Sequence, residues 1–271
     1  MPVEEENMPK SRANGVDIHY EVAGEGPPMV LIHANPFDHN LWMYQIAHFS
    51  TWFKVIAVDI RGYGRSEKVT KAYTLKDMCD DVLGVMGDEA AAPAILMGCS
   101  VGSSIAILLG LDHREMFSAI ILVGGNSGVS SRFEKRIDGY TGIGLPTYHL
   151  RHMRELVSPE FGQSRLGGYL LDTFTERQPR LSGEAIANVF RAGNSTDTTG
   201  RLGEFRVPVM VINGEHDHSL PAGRRTAGLI PGARHEVLPG TGHACCIEDP
   251  AGFDAIMIAF LEERGLMPAL D

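Results

Sequence analysis

Cysteine, tryptophan and positive charge are all sparse in this chain, and no apolar run approaches the length of a membrane span. The four cysteines stand at Cys79, Cys99, Cys245 and Cys246, too few and too irregular for a disulfide framework, and their spacing matches no zinc motif. Lys and Arg number 24 against 34 Asp and Glu, a formal charge of −10. That surplus argues against nucleic acid or an anionic membrane surface as a partner. The opening residues, Met1-Pro2-Val3-Glu4-Glu5-Glu6-Asn7, carry neither the basic region nor the apolar region of a secretory signal. A reduced, cytoplasmic protein is the expected setting. Internal repeats and low-complexity tracts are also lacking.

What the chain does have is 271 residues, 44% of them hydrophobic, enough to bury a large core. That size suits one α/β domain with an insertion better than two independent domains. Apolar segments of strand character alternate with segments of helical spacing, which is the signature of a mostly parallel sheet with helices on both faces. Strands are expected at 16–23, 28–33, 54–59, 93–98, 119–124, 208–213 and 234–238. Helices are expected at 40–48, at 75–87 with Thr74 as N-cap, and at 250–264. Between about Asn126 and Gly203 the strand rhythm stops. Helical stretches at Tyr148–Val157, Arg165–Arg177 and Ser182–Ala192 read as a cap inserted at 126–203 into a core formed by 1–125 and 204–271.

The most informative stretch is Ala94-Ile95-Leu96-Met97-Gly98-Cys99-Ser100-Val101-Gly102-Ser103. An apolar strand runs directly into Gly-x-Ser-x-Gly, and a helical segment follows at once. This is the context of a nucleophile elbow, in which a sharp strand-to-helix turn lifts the serine hydroxyl out of the sheet. Gly98 and Gly102 stand where any side chain would meet the neighbouring backbone. At the start of the helix, the Val101 N–H can face a developing oxyanion. A serine hydroxyl near neutral pH needs a base, and the base needs an acid to hold it. In this sheet order both should follow Ser100, on turns after later strands. Asp217 lies just past the strand ending at Asn213, and His243 just past the strand ending at Leu238. Glu215 and Asp249 compete with Asp217 for the acid, although Asp249 precedes Pro250 and reads as a helix N-cap.

Five features in this order resemble the α/β-hydrolase family over nearly the whole chain. They are His33-Ala34-Asn35-Pro36 after a buried strand, Asp59-Ile60-Arg61-Gly62-Tyr63-Gly64-Arg65-Ser66, the elbow, Gly214-Glu215-His216-Asp217, and Gly242-His243 followed by Glu248-Asp249-Pro250. The resemblance implies an α/β-hydrolase fold with a helical cap, Ser100 as nucleophile, His243 as general base and Asp217 as orienting acid. It implies an oxyanion hole from the backbone N–H groups of Val101 and Asn35, and chemistry that needs no cofactor and no metal. Ala34 stands where many members have Gly, which leaves the second oxyanion donor less defined. The loop also resembles that of haloalkane dehalogenases and epoxide hydrolases, but those branches carry an aspartate where this chain has Ser100. The glycine-rich loop of the C–C hydrolases is missing.

Other residues read as structural. Asp59 and Arg61 look like a turn-stabilising ion pair, His33 like a brace for the oxyanion loop, and His216 and His218 like solvated loop residues. Cys99, Cys245 and Cys246 read as packing residues. Trp42, Tyr140 and Tyr148 are the chosen candidates for lining a largely apolar pocket over Ser100, with Phe133, His149, His152, Tyr169 and Phe174 as further choices. The expected activity is hydrolysis of a small carboxylic ester or lactone through an acyl-enzyme, with a small-molecule acyl substrate as partner. Cleavage of a C–C or amide bond by the same triad stays open, as do a ligand receptor on the same fold and assembly into a homo-oligomer.

Overall fold

The computed structural model describes residues 9–176 and 181–269. The acidic Met1–Asn7 stretch and Arg177, the last residue of the helix expected at 165–177, lie outside them. Eight strands form one sheet: β1 (Lys10–Ser11), β2 (Ile18–Ala23), β3 (Pro28–Ile32), β4 (Lys54–Val58), β5 (Ala94–Cys99), β6 (Phe117–Val123), β7 (Val209–Gly214) and β8 (Arg234–Leu238), in the order β1-β2-β4-β3-β5-β6-β7-β8. β1 and β2 run antiparallel to their neighbours and β3 to β8 are parallel. The C-terminal ends of β3 to β8 therefore share one edge. Strand order reverses at β3, with β4 on one side and β5 on the other, and such a reversal opens a crevice at that edge.

The sheet is buried on both faces, and its side chains alternate between two cores with a period of two. Val30, Ile32, Leu96, Ile120, Leu122 and Val211 face one core, while Met29, Leu31, Ile95, Met97, Ile121 and Ile212 face the other. Helix α1 (Met43–Phe49) covers the second face, and α2 (Leu75–Asp88) and α3 (Val101–Asp112) cover the first. A reciprocal capping box starts α2, with the Asp77 N–H donating to Thr74 and the Thr74 N–H to the Asp77 carboxylate. Most of α3 is apolar because the helix is enclosed by the sheet, α2 and the Gly183–Gly193 helix.

Between β6 and β7 the described residues are helical: α4 (Arg132–Asp138), α5 (Thr147–Arg154), α6 (Pro159–Gln163), α7 (Arg165–Glu176) and α8 (Gly183–Gly193). Helix α9 (Leu220–Leu229) follows β7, and α10 (Cys245–Glu248) and α11 (Pro250–Glu263) follow β8. Asp249 caps α11 by accepting from the Gly252 N–H. No helix among the described residues is long and apolar enough to cross a membrane.

The ion pair expected within the turn after β4 does not form there. Asp59 is fully buried and accepts the His39 ring at 2.8 Å and the backbone N–H groups of His39 and Arg65. Arg61 instead reaches α2 and grips Asp81 with two bonds of 2.6 Å, while its guanidinium lies over Tyr73 at 4.7 Å. Asp59 is thus bonded by His39 and Arg65, and the Arg61 fork is matched bidentately by Asp81.

Candidate active site

Ser100 stands at the tip of the turn between β5 and α3 with φ 54° and ψ −112°, one of two non-glycine residues at positive φ among those described. The neighbouring backbone forces that conformation. A Cβ on Gly98 would fall on the Gly102 carbonyl, and one on Gly102 would meet the Ile32 and His33 carbonyls. Two tethers pin the turn to β6. The Ser100 N–H donates to the Val123 carbonyl at 2.8 Å, and the buried Ser103 hydroxyl contacts the Gly98 and Val123 carbonyls at 2.6 and 3.0 Å. Backbone strain of this kind persists only where the surrounding fold over-determines it.

β7 and β8 bring up Asp217 and His243, the residues expected as acid and base. Asp217 follows β7, and its carboxylate receives the His243 ring at Nδ1 (2.8 Å), the Ser219 N–H (2.7 Å), the Ser219 hydroxyl (2.7 Å) and the Asn213 amide (2.8 Å). Burial works to raise this carboxyl's pKa, but the His243 charge and these hydrogen bonds outweigh it and hold it far below the usual carboxylate range. With Nδ1–H committed to Asp217, His243 keeps Nε2 as its acceptor. Glu248 fixes the histidine loop by accepting from the Gly242 N–H at 2.9 Å and, with its other oxygen, from the Ser158 N–H of the cap at 2.9 Å. The rival acids have other work: Glu215 accepts from the Gly240 N–H, and Asp249 caps α11.

Sequence reasoning missed three neighbours of this pair. Asn213 and Ser219 are the second and third supports of Asp217, and both sit within four residues of it. His218, which had read as solvated, is exposed on one side while its ring packs on that of His243, with centroids 4.6 Å apart. Desolvation and the His243 charge lower its pKa. Asp217, His218 and His243 bring ligand-type atoms within 4.8 Å of one another. The carboxylate is nevertheless saturated by protein donors and His243 Nδ1 faces it, which is the geometry of a hydrogen-bonded pair.

Asn35 follows β3, and His33 braces its loop. The His33 ring bonds the Ala34 carbonyl through Nδ1 at 2.9 Å and accepts the Ile60 N–H through Nε2 at 3.0 Å. Each ring nitrogen thus has one fixed role, and burial lowers the pKa of the group. Val101 is the first residue of α3, so its N–H has no intrahelical carbonyl to meet. Its buried side chain lies under Gly193 at the end of α8.

Ser100, His243 and Asn35 line one cavity of about 620 Å³. The cap supplies Arg132, Phe133, Arg136, His152, Leu156 and Phe190, and α9 supplies Arg225 and Leu229. This lining differs from the apolar pocket read from the sequence, because Arg132 and Arg136, one turn apart on α4, bring charge to the same face as Phe133. Of the chosen pocket residues, none lines it. Trp42 is fully buried in the core that holds α1 and α11, with its ring 6.3 Å from that of Phe253. Tyr140 and Tyr148 form a second layer behind the wall: Tyr140 stacks on Phe190 at 6.0 Å, meets Tyr148 edge-on at 4.9 Å, and bonds His152 Nδ1 through its hydroxyl at 2.9 Å. Phe133 and His152 do line the cavity. Tyr169 is exposed, and Phe174 packs on Phe37. The three cysteines near the site are fully buried.

A family model described as the alpha/beta hydrolase fold matches residues 27–250. The chain belongs to the alpha/beta hydrolase fold family. It is therefore an enzyme of the hydrolase type. A non-heme chloroperoxidase of Kitasatospora aureofaciens is 25% identical over 268 residues, covering 92% of this chain and 98% of that protein. A pimeloyl-[acyl-carrier protein] methyl ester esterase of Nitrosomonas europaea is 25% identical over 252 residues, covering 87% and 96%. Among solved structures, the enol-lactonase of Burkholderia xenovorans superposes with a TM-score of 0.88 at 25% identity, covering 94% of this chain and 100% of that one.

Proposed function

We propose that this alpha/beta hydrolase cleaves a small carboxylic ester or lactone through an acyl-enzyme on Ser100. The observation that carries the reading is the 2.8 Å His243–Asp217 bond, with His243 and Ser100 lining the same cavity. The carboxylate selects the tautomer that leaves His243 Nε2 unprotonated and stabilises the imidazolium formed in the reaction. Ser100 Oγ attacks the substrate carbonyl while its proton passes to His243 Nε2. The tetrahedral intermediate then collapses, the bond to the leaving oxygen breaks, and Nε2 returns the proton to that oxygen. In the second half a water gives its proton to Nε2, its oxygen bonds the acyl carbon, and Ser100 leaves with the proton restored. The Ser100 hydroxyl hydrogen-bonds none of the described residues, and the Ser100–His243 bond closes as substrate enters.

Val101 and Asn35 supply the backbone N–H donors for the oxyanion, each worth on the order of 3 kcal/mol in the transition state. The relatives named as an esterase and an enol-lactonase support acyl chemistry on this scaffold. Steady-state rates on a panel of esters, lactones, amides and 1,3-diketones test the reading, with Ser100→Ala as control. Esters or lactones should be the preferred class, and Ser100→Ala should lose several orders of magnitude in kcat with binding retained. Retention of more than about a tenth of the activity by Ser100→Ala would falsify the nucleophile.

A further inference from the structure

The charge of the cavity runs against the charge of the chain. The protein carries a formal charge of −10. Yet the cavity that holds Ser100 is lined by Arg132, Arg136 and Arg225, and no Asp or Glu is among its lining residues. Arg132 and Arg136 are one turn apart on α4, so they share a face, while Arg225 comes from α9 in the core.

The arginines keep most of their donors unused. The Arg136 side chain is only 19% exposed and spends one Nη1 bond, 2.7 Å, on Glu155, whose other oxygen is taken by Arg151. Arg132 gives one Nη1 to the His218 carbonyl at 3.0 Å, which uses a donor and neutralises nothing. Arg225 makes no hydrogen bond or ion pair among the described residues. Three guanidinium groups carry fifteen N–H donors between them, by the ordinary count of five apiece, and they share one carboxylate partner. Beside them lies His152, nine-tenths or more buried, with Nδ1 bonded to Tyr140 and Nε2 as its remaining polar atom. The field is felt by its neighbours. After burial, the charge of Arg136 is the next cause holding the His152 pKa well down, and Arg132 and Arg136 add to the depression at His218.

We infer that the substrate carries a carboxylate several atoms from the scissile carbonyl, received by Arg132, Arg136 and Arg225 while Ser100 attacks at the other end of the cavity. The inference rests on the ester or lactone reading of the Ser100 site. A guanidinium pairs with a carboxylate in a planar two-bond fork, stronger than a neutral contact; Arg136 is half-buried, while Arg132 and Arg225 are exposed. The rest of the lining fits a short connecting chain, because Phe133, Leu156 and Phe190 add apolar wall to the same cavity.

Matched esters on the full-length protein test this. On the acyl side, the p-nitrophenyl half-ester of adipic acid is compared with p-nitrophenyl hexanoate, which has a methyl group in place of the carboxylate. On the alcohol side, 4-carboxyphenyl hexanoate is compared with 4-carbamoylphenyl hexanoate. In at least one pair the anionic ester should have the higher kcat/KM by about tenfold or more, mainly through KM, and added salt should shrink the preference. Arg132→Gln, Arg136→Gln and Arg225→Gln should each lower the ratio of kcat/KM for the anionic ester to that for its neutral partner by a large part. Arg225→Gln breaks no hydrogen bond or ion pair among the described residues, so its effect is separate from any loosening at Glu155. The inference is overturned when neither anionic ester is preferred, or when the triple variant keeps the preference. Failure of the acyl-enzyme reading shows differently, as hydrolysis of both esters of a pair surviving in Ser100→Ala. Calorimetric titration of Ser100→Ala with monomethyl adipate and with dimethyl adipate, which has no free carboxylate, reads the anion site without turnover. Monomethyl adipate should bind more tightly, and Arg225→Gln in that background should shrink the difference; equal binding overturns the inference.

Discussion

Replacing Ser100 by Gly and by Ala separates the strain at the elbow from its chemistry. Ser100 is held at φ 54° and ψ −112°, a conformation that costs a residue with a Cβ on the order of 1–3 kcal/mol. Alanine keeps the Cβ and so keeps the strain. Glycine releases it but loses about 0.4–1 kcal/mol through the greater freedom of the unfolded chain. The difference leaves Ser100→Gly more stable than Ser100→Ala by about 1 kcal/mol, or about 2–4 °C in melting temperature for a domain near this size. Both variants lack the hydroxyl, so both should lose the same several orders of magnitude in kcat. Urea unfolding of the two proteins at one pH, read as midpoint and slope, gives the stability difference, and initial rates on the preferred ester give the activity. A glycine variant equal to or weaker than the alanine variant, at equal slopes, refutes the claim that tertiary packing forces a strained backbone here.

Two further expectations follow from the same coordinates. Asp217→Asn should lower kcat by about 10³–10⁴, because an amide cannot stabilise imidazolium and can hold the wrong tautomer; Asp249→Asn and Glu215→Gln, which touch only a helix cap and a turn, should stay within about tenfold, and a crippled Asp249→Asn would reverse the assignment. His149 is buried in α5 and desolvation lowers its pKa from 6.5 to about 4, so below 6.5 the unfolded chain binds a proton that the folded chain refuses. Stability should therefore fall as pH drops from 6.5 toward 4, with this residue contributing about 3 kcal/mol of the loss. The melting temperature of His149→Gln should fall less over that range than the wild type's, and parallel curves would show that the group is not desolvated. The low pKa of Asp217 adds its own loss as pH falls through the ordinary carboxylate range, mostly below this window.

β3 to β7 were legible in the sequence because strands buried on both faces demand continuous apolar runs, while β2 and β8, with polar residues among their apolar ones, were legible from the turn residues that bound them. Helix α2 was legible from Thr74, whose capping bonds are local. Ser100, Asp217 and His243 could be placed because each sits on a turn directly after a strand, so strand order alone carries them to one sheet edge. Helix α4 was missed, being seven residues long with no buried side chain to give it an apolar rhythm.

What the sequence determined by itself is what depends on near neighbours: the strand runs, the caps, the elbow glycines and the succession of serine, aspartate and histidine. Only the tertiary structure decided which distant side chains share a wall. It sent Arg61 to Asp81 on α2 and bonded the Asp59 carboxylate from two other segments, at His39 and Arg65. Trp42 was turned into the core beneath α11 by the same long-range packing, and Tyr140 and Tyr148 were set behind Phe190 and His152. The cap helices α4, α5 and α8 converge with α9 on one cavity, and the charge of that cavity is a sum over those segments. Periodicity within any one of them reports which face is apolar, and the partner across the gap is fixed only when the chain folds back on itself.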